Sequence, residues 1–236
     1  HGSMPFGADN ALIKTAEIIR RLTEYRPTPN LDEIWRAQVN SMALSDDVRE
    51  GLLDTASIWD TISSLPTPLA RTCHAHTHTT FSPNVVHGGP KTNIIPDVID
   101  LEIDIRTVPG DRENADGHLR AALGDLYEHV EVSDIQNSPA TSSPFGVDNP
   151  LWNSVEKHTQ IAHPGATLVP GLVVGGTDAR FYRERGRIAY GTGLYSPNMD
   201  FATFGSRFHG HDERIDVESL GLSAEYFRGI AVDLLG

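Results

Sequence analysis

The sequence predicts an α/β protein in two parts, and three features support this fold class. Residues 97–108, DVIDLEIDIRTV, alternate between apolar and charged side chains, which is the period of a half-buried strand. Patterns up to residue 135 follow the order helix, strand, strand, helix, strand, which is a ferredoxin-like plait without its first strand. After a Ser-, Pro- and Asn-rich stretch at 137–150, short apolar strands alternate with helices, as in an α/β layer.

The first part, residues 1–139, is expected to be an α+β domain with a helical insertion near 25–70. Its first helix, ALIKTAEIIRRL, has Asp9 or Asn10 as the candidate N-cap. Two helical stretches are predicted near residues 31–42 and 46–64, and a period-two strand, TCHAHTHTTF, is predicted at 72–81. The strong strand follows at 97–108, a helix near 115–129 and the strand VEVSDI at 130–135.

The second part, residues 140–236, is expected to be a piece of a larger α/β domain. It begins with a helix at about 151–161 and ends with an amphipathic helix, DVESLGLSAEYFRGIAVDLL. Between them, GLVVGGTDARFYRERG predicts a strand, a glycine turn and a helix, and RIAYGTG predicts another short strand. About a hundred residues are too few for a complete doubly wound domain.

Composition excludes some classes of partner. The chain has 236 residues and a formal net charge of −13, which argues against binding to nucleic acids or to an anionic membrane surface. No apolar run approaches the length that spans a bilayer. The single cysteine, Cys73, excludes an internal disulfide and fits a reducing compartment, so we expect a cytoplasmic protein.

The segment FHGHDERIDVESL has the residue types found at the edge of a metal site. His209, His211, Asp212 and Glu213 offer imidazole and carboxylate ligands, which zinc prefers at hydrolytic sites. A site needs three or four ligands, and the remaining ones are not evident nearby. The alternative is a polar loop whose acidic residues lie near the N-terminus of the closing helix.

Two further segments contain candidate binding residues. In GGTDARF, Gly175 and Gly176 would let a ligand approach the backbone at a helix N-terminus, although a tight turn with a cap explains the same residues. Arg106, at the end of the strong strand, and Asn93, in the preceding turn, could grip a carboxylate. The alternative for Arg106 is an ion pair with Asp104 or Glu102.

His74, His76 and His78 would share one face if TCHAHTHTTF were a strand. Three aligned imidazoles could bind zinc. The alternative is the solvent-facing side of an edge strand.

Four segments in order, HGSMPFGADNALIKTAEII, GGPKTNIIPDVIDLEIDIRTVPGD, GGTDARF and FHGHDERIDVESL, resemble the co-catalytic zinc metallopeptidase family. That family includes aminoacylase, acetylornithine deacetylase, succinyl-diaminopimelate desuccinylase and glutamate carboxypeptidase. The resemblance covers nearly the whole chain apart from the helical block around 25–70, and it makes HGSMP a native motif rather than a cloning remnant.

The resemblance implies a catalytic α/β domain that is interrupted by a ferredoxin-like lid, through which two copies dimerise. The lid of this family supplies a His, an Asn and an Arg to the substrate. The resemblance implies that His1, Asn93 and Arg106 are these three substrate-binding residues of the lid. It also implies that Gly175, Gly176 and Thr177 line the carboxylate pocket, that His209 is the last metal ligand and that Glu213 supports it.

The implied activity is metal-dependent hydrolysis of an amide bond in a small substrate with a carboxylate, such as a peptide or an N-acyl amino acid. Two zinc ions, or cobalt or manganese, would activate water, a Glu would transfer the proton, and the lid His would stabilise the oxyanion. The family's other metal ligands and its general base precede the lid, and no such set precedes His1. We therefore expect a homodimer-forming fragment that is inactive alone.

Two other readings stay open at this level. The chain could be a non-catalytic dimerisation or binding module, in which Arg106 is dispensable. It could also be a metalloprotein that uses the histidine row and needs no further sequence.

Overall fold

The computed structural model describes residues 1–111, 114–133, 141–200, 203–204, 207 and 211–236. These residues form two compact units, His1–Thr141 and Ser142–Gly236. The elements of the first unit are α1 (Ala11–Glu24), α2 (Glu33–Ser41), α3 (Asp46–Leu53), α4 (Ile58–Ser64), α5 (Thr67–Thr77), β1 (Thr80–Gly88), β2 (Ile99–Arg106), α6 (Ala115–Leu123) and a 3₁₀ helix (Gly124–His129). The second unit contains α7 (Pro150–Ala162), α8 (Ala179–Arg183) and α9 (Val217–Leu235).

The mixture of helices with a small antiparallel sheet agrees with the predicted α/β class. β1 pairs with β2 so that Thr80 lies opposite Arg106 and Gly88 lies opposite Ile99, with an irregularity between Pro83 and Val85. Along β2 the apolar side chains are partly buried and the charged ones are exposed, as the alternation predicts.

α1 and α6 cover the apolar face of this sheet. Ile18 and Leu22 of α1 and Leu119 and Leu123 of α6 form the buried centre of this core. Asn10 is the N-cap of α1 and accepts a hydrogen bond from Leu12 N at 3.0 Å, which confirms one of its two predicted caps.

The ferredoxin-like arrangement is present only in part. The described residues supply α1, β1, β2 and α6 in the expected order, but residues 130–133 of the predicted strand VEVSDI are not in a strand. The last two residues of that segment lie outside the described ranges. A β-strand needs a neighbour for its backbone hydrogen bonds, so an alternating sequence alone does not create one.

The helical insertion packs around its own core. Trp35, Val39, Leu52, Ile58 and Cys73 are almost completely buried there. The single helix predicted over 46–64 is wrong, because it divides into α3 and α4.

The break between α3 and α4 has a local cause. The side chain of Asp54 accepts hydrogen bonds from Ser57 N and Ser57 Oγ at 3.1 and 2.7 Å, and this turns the chain. Gly51 then allows close packing, because a Cβ at that position would lie 2.2 Å from Thr61 Oγ1.

The strand predicted over residues 72–81 is wrong for most of its length. Residues up to Thr77 belong to α5, and only Thr80 and Phe81 belong to β1. Cys73 and Thr77 are four residues apart and both are completely buried, so the burial follows the helical period and not the period of two. Packing of this face on the insertion core outweighs the β-branched composition of the segment.

The second unit is built on the contact between α7 and α9. Val155 of α7 packs with Leu194, Tyr226 and Ile230. Asp233 of α9 accepts hydrogen bonds from Ser154 Oγ and Lys157 Nζ of α7 and lies 3.0 Å from His158 Nε2.

The two strands predicted in the second unit are not formed. The segments are residues 171–174 and 187–193, and the structure describes both as irregular. Within the described ranges, no helix combines the length and the apolar character needed to cross a membrane.

Candidate functional site

The N-terminal turn packs on the loop between β1 and β2 and brings His1 beside Asn93. Gly2 N donates a hydrogen bond to the backbone oxygen of Asn93 at 2.8 Å. A Cβ at Gly2 would lie 3.0 Å from both Cα and the carbonyl carbon of Asn93, so this approach favours glycine. Two residues that are distant in sequence therefore share one end of the β-hairpin.

The His1 ring is exposed and is oriented by its own turn. Ser3 Oγ lies 2.8 Å from His1 Nδ1, and Ser3 N donates to the same nitrogen at 3.3 Å. Since Nδ1 accepts these bonds, the favoured neutral tautomer carries its proton on Nε2. Sequence reasoning did not identify Ser3, although a serine two residues after a histidine is a suitable spacing for such a contact.

Arg106 pairs with Asp104 on the exposed face of β2. Arg106 Nε lies 2.6 Å from Asp104 Oδ1, and Nη2 lies 2.8 Å from Oδ2, so the contact is bidentate. The hydrogen bonds to Asp104 raise the pKa of Arg106 above its ordinary value. The ion pair that sequence reasoning held as the alternative is therefore present.

Arg106 and Asn93 lie at opposite ends of the hairpin. Asn93 belongs to the loop that leads into Ile99, whereas Arg106 is the last residue of β2 and pairs with the first residue of β1. The seven residue steps from Ile99 to Arg106 cover roughly 23 Å of extended chain. The start of α1 marks the Asn93 end, because Ala11 N donates to Pro96 O.

Gly175, Gly176 and Thr177 precede α8 in the second unit and are exposed. The space around both glycine Cα atoms is open, and neither glycine has a positive φ. α8 has five residues, which is too short for a strong N-terminal dipole. Thr177 O accepts a hydrogen bond from Arg180 N at 3.2 Å, so the tight-turn reading accounts for this segment within the described structure.

His209 lies outside the described residues. Glu213 is exposed in the segment that leads into α9, next to Asp212, which has a φ of 61°. Within the described ranges, no group of three or more His, Cys, Asp or Glu side chains converges as a metal site would require. The donors among the described residues therefore do not form a complete zinc centre.

The three histidines of the predicted row do not share one face. His74 and His78 are four residues apart on α5 and its C-cap, and their rings stack with centroids 4.9 Å apart. His76 lies elsewhere, with Nδ1 3.1 Å from Gln38 Oε1 and its ring against Trp35. Trp59 packs against both stacked rings, so two of these side chains belong to an aromatic cluster.

His78 is completely buried and is the most perturbed of the three. Burial, and next the neighbouring charge of His74, lower the pKa of His78 to about 4. Its Nδ1 lies 2.8 Å from Thr77 Oγ1, while Nε2 has no hydrogen-bond partner among the described residues. Protonation would place an uncompensated charge in this cluster.

We expect His78 to make the chain unstable in acid. Its folded pKa of about 4 lies below the ordinary value of 6.5, so the unfolded chain binds a proton first. Stability should fall from about pH 6.5 down to about pH 4, by about 3 kcal/mol from this residue. Urea unfolding of the wild type and of His78→Phe at several pH values measures this, and parallel pH profiles for the two proteins would contradict it.

The second unit contains a pocket that the sequence did not predict. It has a volume of about 80 Å³ and is lined by Tyr195, Met199, Phe204, Arg207, Arg214 and Ile215. Arg207 donates from Nη1 to Asp216 Oδ2 at 2.9 Å. Arg207 and Arg214 flank the segment from His209 to Glu213 in the sequence, and this position beside a candidate site is the feature that could have indicated them.

Comparison with protein families identifies the first unit. Residues 1–131, more than half of the chain, match the family model described as the peptidase dimerisation domain of the M20 peptidases. The chain belongs to the M20 peptidase family. The family predicted from the four sequence segments is thereby confirmed.

A curated relative of this M20 chain is the probable carboxypeptidase S-like 2 of Dictyostelium discoideum. The two are 25% identical over 236 residues, which cover 96% of this chain and 43% of the relative. The chain thus spans less than half the length of that relative. No solved structure gives a significant match.

Proposed function

We propose that this chain is part of a metal-dependent amide hydrolase that acts as a peptidase, a deacylase or an N-acyl amino acid amidohydrolase. The bond between Gly2 and Asn93 carries this proposal, because it places His1 and Asn93 together at one end of the dimerisation unit. The family match supports the class of reaction, and the relative's printed name is that of a carboxypeptidase S-like protein.

The proposed substrate has a carboxylate that Arg106 binds. The bidentate contact with Asp104 uses the Nε and Nη2 edge of the guanidinium group. The N–H groups on the Nη1 side lie outside this contact, and a second carboxylate can bind there in the same plane. Asp104 would then orient the guanidinium group instead of competing for it.

His1 and Asn93 would bind the carbonyl oxygen of the scissile amide. The exposed Nε2–H of His1 and the side-chain amide of Asn93 are hydrogen-bond donors, and donors of this kind stabilise an oxyanion as it forms. Holding them by a backbone hydrogen bond reduces the reorganisation required during the reaction. The activating metal and the general base would come from outside the described residues.

The proposed enzyme is a homodimer with shared active sites. Roughly 23 Å of strand separates the Asn93 end of the hairpin from Arg106, which exceeds the length of a dipeptide substrate. One protomer cannot place both ends on one such substrate. In a twofold dimer, His1 and Asn93 of one protomer would complete a site that contains the other protomer's Arg106.

Metal content tests the proposal that the activating metal is held by residues outside those described. Protein purified without chelators should contain close to no bound metal per copy of this chain, and the parent enzyme should contain two metal ions per protomer. Removing the metal should abolish hydrolysis of N-acetyl amino acids and dipeptides by the parent enzyme. Elemental analysis measures the content, and one or two tightly bound ions in the isolated chain would contradict the proposal.

A non-catalytic dimerisation module is the second candidate. The ion pair between Arg106 and Asp104 favours it, since the arginine already has a carboxylate partner. This candidate predicts that Arg106→Ala leaves the function of the parent protein intact. The hydrolase proposal predicts a large loss of substrate binding.

A further inference from the structure

The pocket in the second unit has an apolar wall and a basic wall. The apolar wall consists of Tyr195, Met199, Phe204 and Ile215. Two of its rings, those of Tyr195 and Phe204, pack edge to face with centroids 4.5 Å apart. The basic wall consists of Arg207 and Arg214. A ligand that fits both walls needs a short hydrocarbon body and an anionic end.

Arg207 has an unused edge on its guanidinium group. Nη1 donates to Asp216 Oδ2 at 2.9 Å, and the side chain is 19% exposed. Nε is buried and has no hydrogen-bond partner among the described residues. Because a buried donor without a partner costs stability, it indicates a missing acceptor. Nε and Nη2 together form a fork that fits the two oxygens of a carboxylate.

Arg214 adds a second positive charge to the pocket. Its side chain is exposed, and Nη1 donates to the backbone oxygen of Asp212 at 2.9 Å, an acceptor without net charge. The carboxylate that Arg207 contacts, Asp216, also accepts from Ser219 N and Ser219 Oγ at 2.8 Å each. The pocket therefore favours an anion, and the Asp216 oxygens already have their donors.

The size and the walls of the pocket restrict the anion further. Its volume is about 80 Å³, and a single water needs about 10–15 Å³, so there is room for roughly five to eight heavy atoms. Phosphate exposes four oxygens, for which an apolar wall offers few donors. An amino acid has an ammonium group beside its carboxylate, and two guanidinium groups repel it. A short aliphatic carboxylate meets neither obstacle.

We propose that this pocket binds a short aliphatic carboxylate. The two oxygens bond to Nε and Nη2 of Arg207, and the hydrocarbon body contacts Met199 and Phe204. The lining shares no residue with the carboxylate contact proposed for Arg106. The inference stands on the pocket and not on the proposed function. If the parent protein hydrolyses amides, the acid released from the acyl side of the bond belongs to this class of ligand.

The methyl group of Met199 allows binding to be measured in the isolated chain. The chain has three methionines, and the other two, Met4 and Met42, belong to the first unit. In protein with ¹³C-labelled methionine methyl groups, isovalerate should shift the Met199 signal with a Kd of about 1 mM, a typical strength for so small a ligand. The Met4 and Met42 signals should not move. Met199→Leu assigns the signal.

Three matched compounds test the class of ligand. Isovaleramide has the shape of isovalerate without its charge, and valine adds an ammonium group, as on the amino acid side of an amide. Both should bind at least about tenfold more weakly than isovalerate. Inorganic phosphate at the same concentration should leave Met199 unshifted. Equal binding of isovaleramide, valine or phosphate would overturn the inference, because the pocket would then select apolar groups, amino acids or anions in general.

Two variants test the residues. Arg207→Lys keeps the charge but removes the fork, and should weaken isovalerate binding about tenfold. Since Arg207 also contacts Asp216, the exposed Arg214→Gln is a second variant that leaves the fold intact, and binding should weaken about threefold. Arg228→Lys is the matched control, because Arg228 lies on the polar face of α9 beside Glu225, and the Kd should not change.

The inference is wrong if isovalerate leaves the Met199 signal of the wild type unmoved, or if both variants bind isovalerate as the wild type does. These outcomes do not depend on hydrolysis by the parent protein. Binding by the isolated chain, together with a parent that lacks amidase activity, would contradict the proposed function and leave this inference intact.

Discussion

A refolded mixture of two impaired variants of the proposed parent enzyme, His1→Ala and Arg106→Ala, should regain about a quarter of the wild-type activity. In each mixed dimer, one shared site contains both substitutions and the other contains neither. Random mixing makes about half of the dimers mixed, and half of their sites are intact. We expect shared sites because His1 and Arg106 lie at opposite ends of the hairpin, where Arg106 pairs with Thr80.

The separate variants should be strongly impaired before mixing. Loss of the proposed oxyanion donor in His1→Ala should lower kcat by about 100-fold or more. Loss of the proposed contact between Arg106 and the substrate carboxylate in Arg106→Ala should lower kcat/KM by about 100-fold or more. Activity is measured by release of amino acid from N-acyl substrates, after the two proteins are unfolded and refolded together.

The matched control for Arg106 is Arg20. Both side chains are 54% exposed and both are ion-paired, Arg20 with Glu17 and Glu24. Arg20→Ala should retain wild-type activity, since Arg20 lies on the outer side of α1. If mixed dimers regain no activity although each variant still dimerises, the active site lies within one protomer and the shared-site proposal is wrong.

Replacement of His118 by alanine should cost about 3 kcal/mol of stability. His118 is buried between α1, β1 and the segment after β2, with Nε2 donating to Asp111 Oδ2 at 2.9 Å. Its Nδ1 lies 3.0 Å from Tyr25 Oη, and Thr79 Oγ1 also donates to Asp111. The substitution removes one of the donors to the partly buried Asp111 carboxylate and opens a cavity.

Urea unfolding followed by tryptophan fluorescence measures the loss. His129→Ala is the control, because His129 is exposed at the end of the 3₁₀ helix and should change stability by less than about 0.5 kcal/mol. A loss below about 1 kcal/mol for His118→Ala would show that the hydrogen-bond network is not a stability centre of the first unit.

Part of the candidate site could be identified from the sequence. The resemblance named His1, Asn93 and Arg106, and the structure then placed the first two together and the third at the far end of β2. Their functional roles remain proposals. The separation could not be predicted from the sequence, because it depends on the register of the hairpin and on where the N-terminal turn packs.

Other features depended on contacts that a single sequence does not record. The ion pair from Arg106 to Asp104 was one of two options on the same face of β2, and only the side-chain geometry selects it. The stacking of His74 on His78 required a helix where the composition favoured a strand. The pocket beside Arg207 and Arg214 brings together residues between 195 and 215, where the sequence has no clear hydrophobic period.

The sequence by itself determined the elements whose hydrogen bonds and apolar faces are local. α1 with its Asn10 cap, α7 and α9 form where the pattern predicts them. The alternating strand β2 also forms where it is predicted, but its hydrogen bonds depend on β1. A helix satisfies its backbone groups internally, so its own residues determine where it forms. Tertiary structure decided α5, because burial of Cys73 and Thr77 on a shared core selects the helical period there. Tertiary structure also decided the segments at 171–174 and 187–193, because a strand requires the hydrogen-bonding groups of a neighbouring strand.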